Sequence, residues 1–146
     1  MKPTRILMIE DDTAFGTVAS ALLARAAQDC RWQLNVTQMV TLREAEKYAH
    51  GYDAVILDLG LPDSDTEETM AWLKRKSPEL PPVVVVTGSD FDVIRNRCMR
   101  DCGAADFMWR GDVTVNPINC FQRVMHAIWR KEFCRKTFRV LESNAA

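Results

Sequence analysis

Hydrophobic residues follow two rhythms along this chain: short unbroken apolar runs, and longer stretches where they recur every three or four positions. The runs Ile6–Ile9, "AVIL" in "AVILD" and the valines of "PVVVVTG" suit strands buried on both faces. "WQLNVT" alternates apolar with polar residues, as an outer strand does, and "ADFMW" supplies a fifth strand. Between them the longer rhythm predicts helices. The first spans Thr13 to Asp29, with Val18, Leu22 and Ala26 on one face. "TLREAEKYAHG" opens with a capping box, Thr41 and Glu44, and closes on Gly51 as a C-cap. A third helix runs from Asp65 to Lys76 and is stopped by Ser77-Pro78. A fourth starts near Ser89 or Asp90 and ends at Gly103. Asn116-Pro117, a cap followed by proline at the first helical position, starts a last helix toward Leu141.

Five β-α pairs in this order predict an α/β domain with a parallel sheet and helices on both faces. In such sheets ligands collect beyond the carboxyl ends of the strands. That rim would gather Glu10 and Asp11 from strand one, Asp58 from strand three, Thr87 from strand four and Arg110 from strand five.

Composition narrows the classes without choosing among them. A chain of 146 residues, 47% hydrophobic and 27% charged, suits one folded domain, and its net charge of −1 favours no polyanionic partner. The apolar run near the start is too short for a signal peptide's core, and no stretch is long enough to span a bilayer, so a cytoplasmic location is expected. The five cysteines contain no C-x-x-C pair, and Cys98 and Cys102 find no second Cys or His pair to complete a metal site.

The chemistry therefore rests on the rim. Carboxylates from neighbouring strand ends form a hard oxygen site suited to Mg2+, which keeps several waters and binds phosphate oxygens. A hydroxyl and a fixed cation beside them suit phosphoryl chemistry with a carboxylate nucleophile. The chain lacks the G-x-x-x-x-G-K-[ST] and G-x-G-x-x-G loops, and Asp58 is followed by Leu59-Gly60 rather than the Asp-x-Asp of aspartate-based phosphatases.

The pieces "ILMIEDD", "VILDLGLPDSD", "VVVVTGSD" and "GAADFMWRGD", in this order and spacing, resemble the receiver domain of two-component response regulators over residues 4 to 135. The resemblance implies a flavodoxin-like (βα)5 three-layer sandwich with a five-stranded parallel sheet of order 2-1-3-4-5. It implies that Asp58 is the phosphoacceptor and that Glu10, Asp11, Asp58 and the Gly60 backbone carbonyl hold Mg2+. Thr87 matches the hydroxyl that binds the phosphoryl group, and Phe107 the aromatic switch position. Asp12 falls one place beyond the acidic pair and is read as the cap of the first helix, and Asp63 and Asp65 as helix caps or solvated acids. Gly60 and Ser89 occupy positions that tune hydrolysis in the family. The implied partners are a histidine kinase or phosphotransfer protein upstream and a protein target downstream; the chain itself is a signalling domain rather than an enzyme.

One position departs from the pattern. The family places lysine at the end of strand five, where this chain has Arg110 followed by Gly111-Asp112. A planar fork approaches a phosphoryl group differently from an ammonium, so slower phosphotransfer or altered switching is expected. The alternative is a phosphorylation-independent pseudo-receiver that presents the same surface constitutively, and a metal-dependent hydrolase is a third reading. Residues 1–130 are assigned to the receiver and 131–146 to a basic extension of the last helix. In the last helix Phe121, Val124, Met125 and Ile128 face the sheet; beyond them Trp129, Phe133 and Val140 form a stripe at i, i+4 and i+11 among Arg130, Lys131, Arg135, Lys136 and Arg139. Dimer or partner contacts are the preferred use of that stripe; nucleic acid or an anionic membrane is less favoured.

Overall fold

The computed structural model describes residues 2–88 and 92–145. Its elements are β1 (Thr4–Ile9), α1 (Thr13–Asp29), β2 (Leu34–Met39), α2 (Leu42–Tyr48), β3 (Ala54–Leu57), α3 (Thr66–Lys76), β4 (Val83–Thr87), α4 (Asp92–Arg100), β5 (Asp106–Trp109), α5 (Arg110–Val115) and α6 (Pro117–Asn144). All strand pairs are parallel, in the order β2-β1-β3-β4-β5. The period of two along each strand divides the core. Ile6, Met8, Ala54, Ile56, Val84, Val86 and Met108 pack with α1, α5 and α6. Leu7, Ile9, Val55, Leu57, Val83, Val85 and Phe107 pack with α2, α3 and α4. Strands buried on both faces are continuous apolar runs for that reason.

Several local expectations need correction. The buried face of α1 is Gly16, Ala19, Leu23, Ala26 and Ala27, whereas Val18 is 50% exposed and Leu22 only partly covered. Small residues let α1 lie close to the sheet, so the larger Val18 was a poor guide to its inner side. α2 ends at Tyr48, and a 3-10 turn carries the chain through Gly51, which is not in the left-handed region. α4 ends at Arg100, three residues before Gly103, whose φ of 79° reverses the chain into β5. The predicted start of that helix, near Ser89 or Asp90, lies outside the described residues. Arg110 does not finish β5. It opens the short helix α5, a sixth helix absent from the five-pair reading, and the Trp109 N–H donates to Asp112 at 3.3 Å across its first turn.

The caps behave as their residue types demand. Asp12, Thr41, Asp65 and Asn116 each accept a backbone N–H in the first turn of their helices, and Glu68 completes a capping box with Asp65. Asp63 reaches across to the N-terminus of α2, accepting from the Leu42 and Arg43 N–H groups at 3.0 Å each. Cys98, Cys102 and Cys120 are buried free thiols, while Cys30 and Cys134 are exposed. Burial pushes the Cys98 thiol up to about 11, away from the thiolate a metal would require.

A bidentate pair ties α6 to the sheet. Arg123 donates to both Asp106 oxygens at 2.8 and 2.7 Å and to the Phe107 carbonyl at 3.0 Å. Burial works against the Asp106 charge, but the Arg123 fork and the Phe107 N–H outweigh it and hold this carboxyl below its ordinary range. A depressed carboxyl contributes stability above its unfolded pKa and loses it as pH falls through the folded value. Arg123→Ala is therefore expected to cost about 1–2 kcal/mol near neutral pH, discounted for partial exposure. The gap from the parent chain should close as pH falls to about 4 and below. Urea unfolding of both proteins across that range checks it; a gap independent of pH would refute the assignment.

Candidate functional site

The strand register builds the site. The Glu10 N–H donates to the Met39 carbonyl at 2.9 Å and the Asp58 N–H to the Ile9 carbonyl at 3.0 Å, so both acids leave the sheet at adjacent strand ends. Thr87 pairs in register with Trp109, which sets Arg110 just past the same rim. Glu10, Asp11 and Asp58 present carboxylate oxygens within 4.8 Å of one another. Glu10 is 2% exposed and Asp58 7%, whereas Asp11 is open to solvent. Thr87 is also buried, and Gly60 lies exposed just after Asp58 and the buried Leu59.

Such crowding is electrostatically expensive. Two carboxylates about 5 Å apart repel by roughly 3 kcal/mol at an effective dielectric of 20. Burial first, then the hydrogen bond with Asp58 and its charge, push the Glu10 carboxyl up to about 8, while Arg110 pulls in the opposite direction.

Arg110 is the cation that relieves the crowding. Its Nη2 bonds Glu10 in a short contact and lies 3.5 Å from Asp58, and its Nη1 lies 3.5 Å from Asp12. The guanidinium stacks 4.4 Å from the centroid of Phe15. Its Nε is buried with no hydrogen-bond partner among the described residues. A Cβ at Gly111 would come within 2.8 Å of the Trp109 ring, so glycine lets that ring fold across the start of α5. Asp12 thus both caps α1 and belongs to the charge cluster.

The sequence reading missed Gln38. Its polar position in an alternating edge strand looks like a solvated one, yet its Nε2 donates to the Glu10 carbonyl at 2.8 Å and the Asp12 carbonyl at 3.4 Å. It can do so because residue 16 is glycine: a Cβ there would sit 2.3 Å from the Gln38 amide. Gln38→Ala and Gly16→Ala should each cost about 1 kcal/mol. Since both remove the same bond, the double variant should be no worse than either one. Thermal unfolding of the cycle tests this, and simple additivity would refute it.

Phe107 is buried in the core between the sheet and α2–α4, beside Cys98, Cys102 and Ala104. The acidic triad draws on two loops at one end of the sheet, Glu10 and Asp11 after β1 and Asp58 after β3. Its donor set consists entirely of hard oxygens, and the four acids outnumber the one arginine, so it fits a divalent cation of the Mg2+ type. The Cys98–Cys102 pair gathers no comparable ligand set among the described residues.

A doubly wound parallel sheet with acids at its carboxyl rim defines a class of α/β signalling and nucleotide-handling domains. Within that class the comparisons are specific. A sequence model described as the response regulator receiver domain matches residues 6–110. The swarming motility regulation protein RssB of Serratia marcescens is 30% identical over 105 residues, 70% of this chain and 44% of RssB, so the chain spans less than half of that relative. The BeF3-activated receiver domain of RstA from Klebsiella pneumoniae superposes with a TM-score of 0.70 at 24% identity, covering 86% of this chain and 98% of that one. The non-phosphorylated HemR receiver domain from Leptospira biflexa gives 0.64 at 29% identity, covering 87% and 94%. This chain belongs to the response regulator receiver domain family, signalling modules of two-component systems. The family implies a kinase partner. No helix among the described residues is long and apolar enough to cross a membrane.

Proposed function

We propose that the chain is a response-regulator receiver that takes a phosphoryl group from a phosphohistidine onto Asp58 and signals by changing a protein-binding surface. The observation that carries this reading is the convergence of Glu10, Asp11 and Asp58 beside Arg110 on one rim. An Asp58 oxygen attacks phosphorus, the phosphorus–nitrogen bond breaks, and the donor imidazole leaves with the electron pair. Arg110 supplies a fixed positive charge for the oxygens of the transferred group, and the Thr87 hydroxyl is assigned to one of them. Mg2+, held by Glu10, Asp11, Asp58 and the Gly60 carbonyl, would neutralise charge developing on the phosphoryl oxygens. Phe107 is the proposed aromatic switch, its burial coupled to the surface of α4, β5 and the following helices. Residues 1–130 form the proposed receiver and 131–146 its basic extension. A cytoplasmic histidine kinase or phosphotransfer protein is the proposed donor.

One observation favours a second reading. Arg110 already binds Glu10 and approaches Asp58, as an internal counter-ion would in a module that works without phosphorylation. Intact-mass spectrometry after incubation with acetyl phosphate, with and without Mg2+, separates the two. A single Mg2+-dependent phosphoryl adduct is expected; its absence in folded, Mg2+-binding protein would favour the constitutive module.

A further inference from the structure

The long helix α6 reverses its polarity partway along. Up to Ile128 the stripe facing the sheet is apolar: Phe121, Val124, Met125 and Ile128 are buried there. Continued in steps of three and four, the same stripe becomes Lys131, Arg135, Arg139 and Glu142. Lys131 confirms the direction, donating to the Leu80 carbonyl beneath the helix. Most apolar residues of the extension lie elsewhere. Trp129, Phe133 and Val140 repeat at i, i+4 and i+11 with Lys136 and Arg130 at the two margins of that stripe; Leu141 lies beyond Arg130, and Phe138 shares a hollow with Lys131, Arg135 and Arg139. Phe133 is 70% exposed and Trp129 53%, and Phe138, Val140 and Leu141 are comparably open.

We propose that this outward face of α6 docks on an anionic lipid surface. An exposed Trp/Phe/Val stripe with Lys and Arg at its margins, on a helix too polar to span a bilayer, is the pattern of an interfacial helix. The charge balance agrees: Trp129–Leu141 carries five cations against Glu132, a net +4, in a chain of −1 overall, which leaves −5 on the rest. That distribution attracts an anionic surface to the extension and not to the body. Pairing two copies along this stripe would oppose their flanking cations. A nucleic-acid surface would need its cations in the centre of the contact, whereas here Lys131, Arg135 and Arg139 follow the inward stripe, Arg130 donates to the Ala105 carbonyl, and the centre of the outward stripe is Trp129, Phe133 and Val140. Trp129 also packs edge-on against Trp32 at 6.3 Å, carrying the apolar face onto the body of the domain, where an apolar hollow of about 410 Å³ opens between Trp32 and α6.

Co-sedimentation of the full chain with phosphatidylcholine vesicles, alone or mixed with phosphatidylserine, tests this. The expected result is binding to the mixed vesicles only, weakened by salt, with a blue shift of tryptophan fluorescence. Phe133→Glu should lower the affinity at least about ten-fold, and Lys136→Glu with Arg139→Glu by a similar factor, while Phe133→Leu keeps it. Circular dichroism confirms that each variant is folded. Absence of binding to the mixed vesicles would overturn the proposal, as would binding indifferent to Phe133→Glu. A dimer in sedimentation velocity that Phe133→Glu dissolves would overturn it in favour of a second copy of the chain.

Discussion

Arg110→Ala is expected to melt at lower temperature than the parent chain in the presence of a chelator, yet to bind Mg2+ about ten- to a hundred-fold more tightly. Both effects follow from the same contacts. Arg110 bonds Glu10 and lies 3.5 Å from Asp58 and from Asp12. Its removal leaves Glu10 buried against Asp58 without a counter-charge. Breaking a largely buried pair of this kind costs about 2–3 kcal/mol, the exposure of the arginine lowering the usual figure. The same removal deepens the negative potential where a divalent cation would sit. Added Mg2+ should therefore restore more stability to the variant than it adds to the parent. Arg110→Lys should fall between, since an ammonium keeps the charge and loses the fork and the Phe15 stack. Calorimetric Mg2+ titrations and thermal melts read both quantities. Equal Mg2+ affinity in parent and Arg110→Ala would mean that the arginine does not compete with the cation.

Asp58→Asn should abolish the phosphoryl adduct and, in metal-free buffer, stabilise the fold by about 1–2 kcal/mol. Asparagine keeps the shape but removes the charge that makes ionising the buried Glu10 costly. The pH dependence gives the sign. Burial, the Asp58 hydrogen bond and the Asp58 charge hold the Glu10 carboxyl up near 8 in the folded chain. A raised carboxyl favours the fold fully below its unfolded value, about 4.3, and that contribution is lost as pH rises through the folded one. In Asp58→Asn only burial remains to raise Glu10, so the decline of stability between about pH 5 and pH 8 should flatten. Urea unfolding in a chelator across that interval measures it. An unchanged slope would show that Asp58 is not what crowds Glu10.

These effects explain why so much of the site could be read from the chain alone. Buried parallel strands must be continuous apolar runs, and their ends are fixed by where acids and hydroxyls begin, so Glu10, Asp11, Asp58 and Thr87 declared both the sheet and its rim. The caps at Asp12, Thr41, Asp65 and Asn116 were equally legible, because each satisfies local backbone donors. What escaped depends on contacts distant in sequence or on weak local signals. The inner face of α1 consists mostly of Gly and Ala, which carry little hydrophobic contrast. The six-residue α5 contains Gly and β-branched residues and has no strong propensity to announce it. Gln38 takes its role from a glycine 22 positions earlier, and Arg110 from three acids and a ring that lie far from it in sequence.

That Asp58 carries the phosphoryl group is tested most directly by reductive trapping. The chain is treated with acetyl phosphate and Mg2+, reduced with borohydride and digested, and the peptide containing residue 58 is sequenced by mass spectrometry. Conversion of Asp58 to homoserine, requiring both Mg2+ and the phosphodonor and absent in Asp58→Asn, is the expected result. A trapped residue elsewhere, or no trapping in protein shown to be folded and to bind Mg2+, would contradict it.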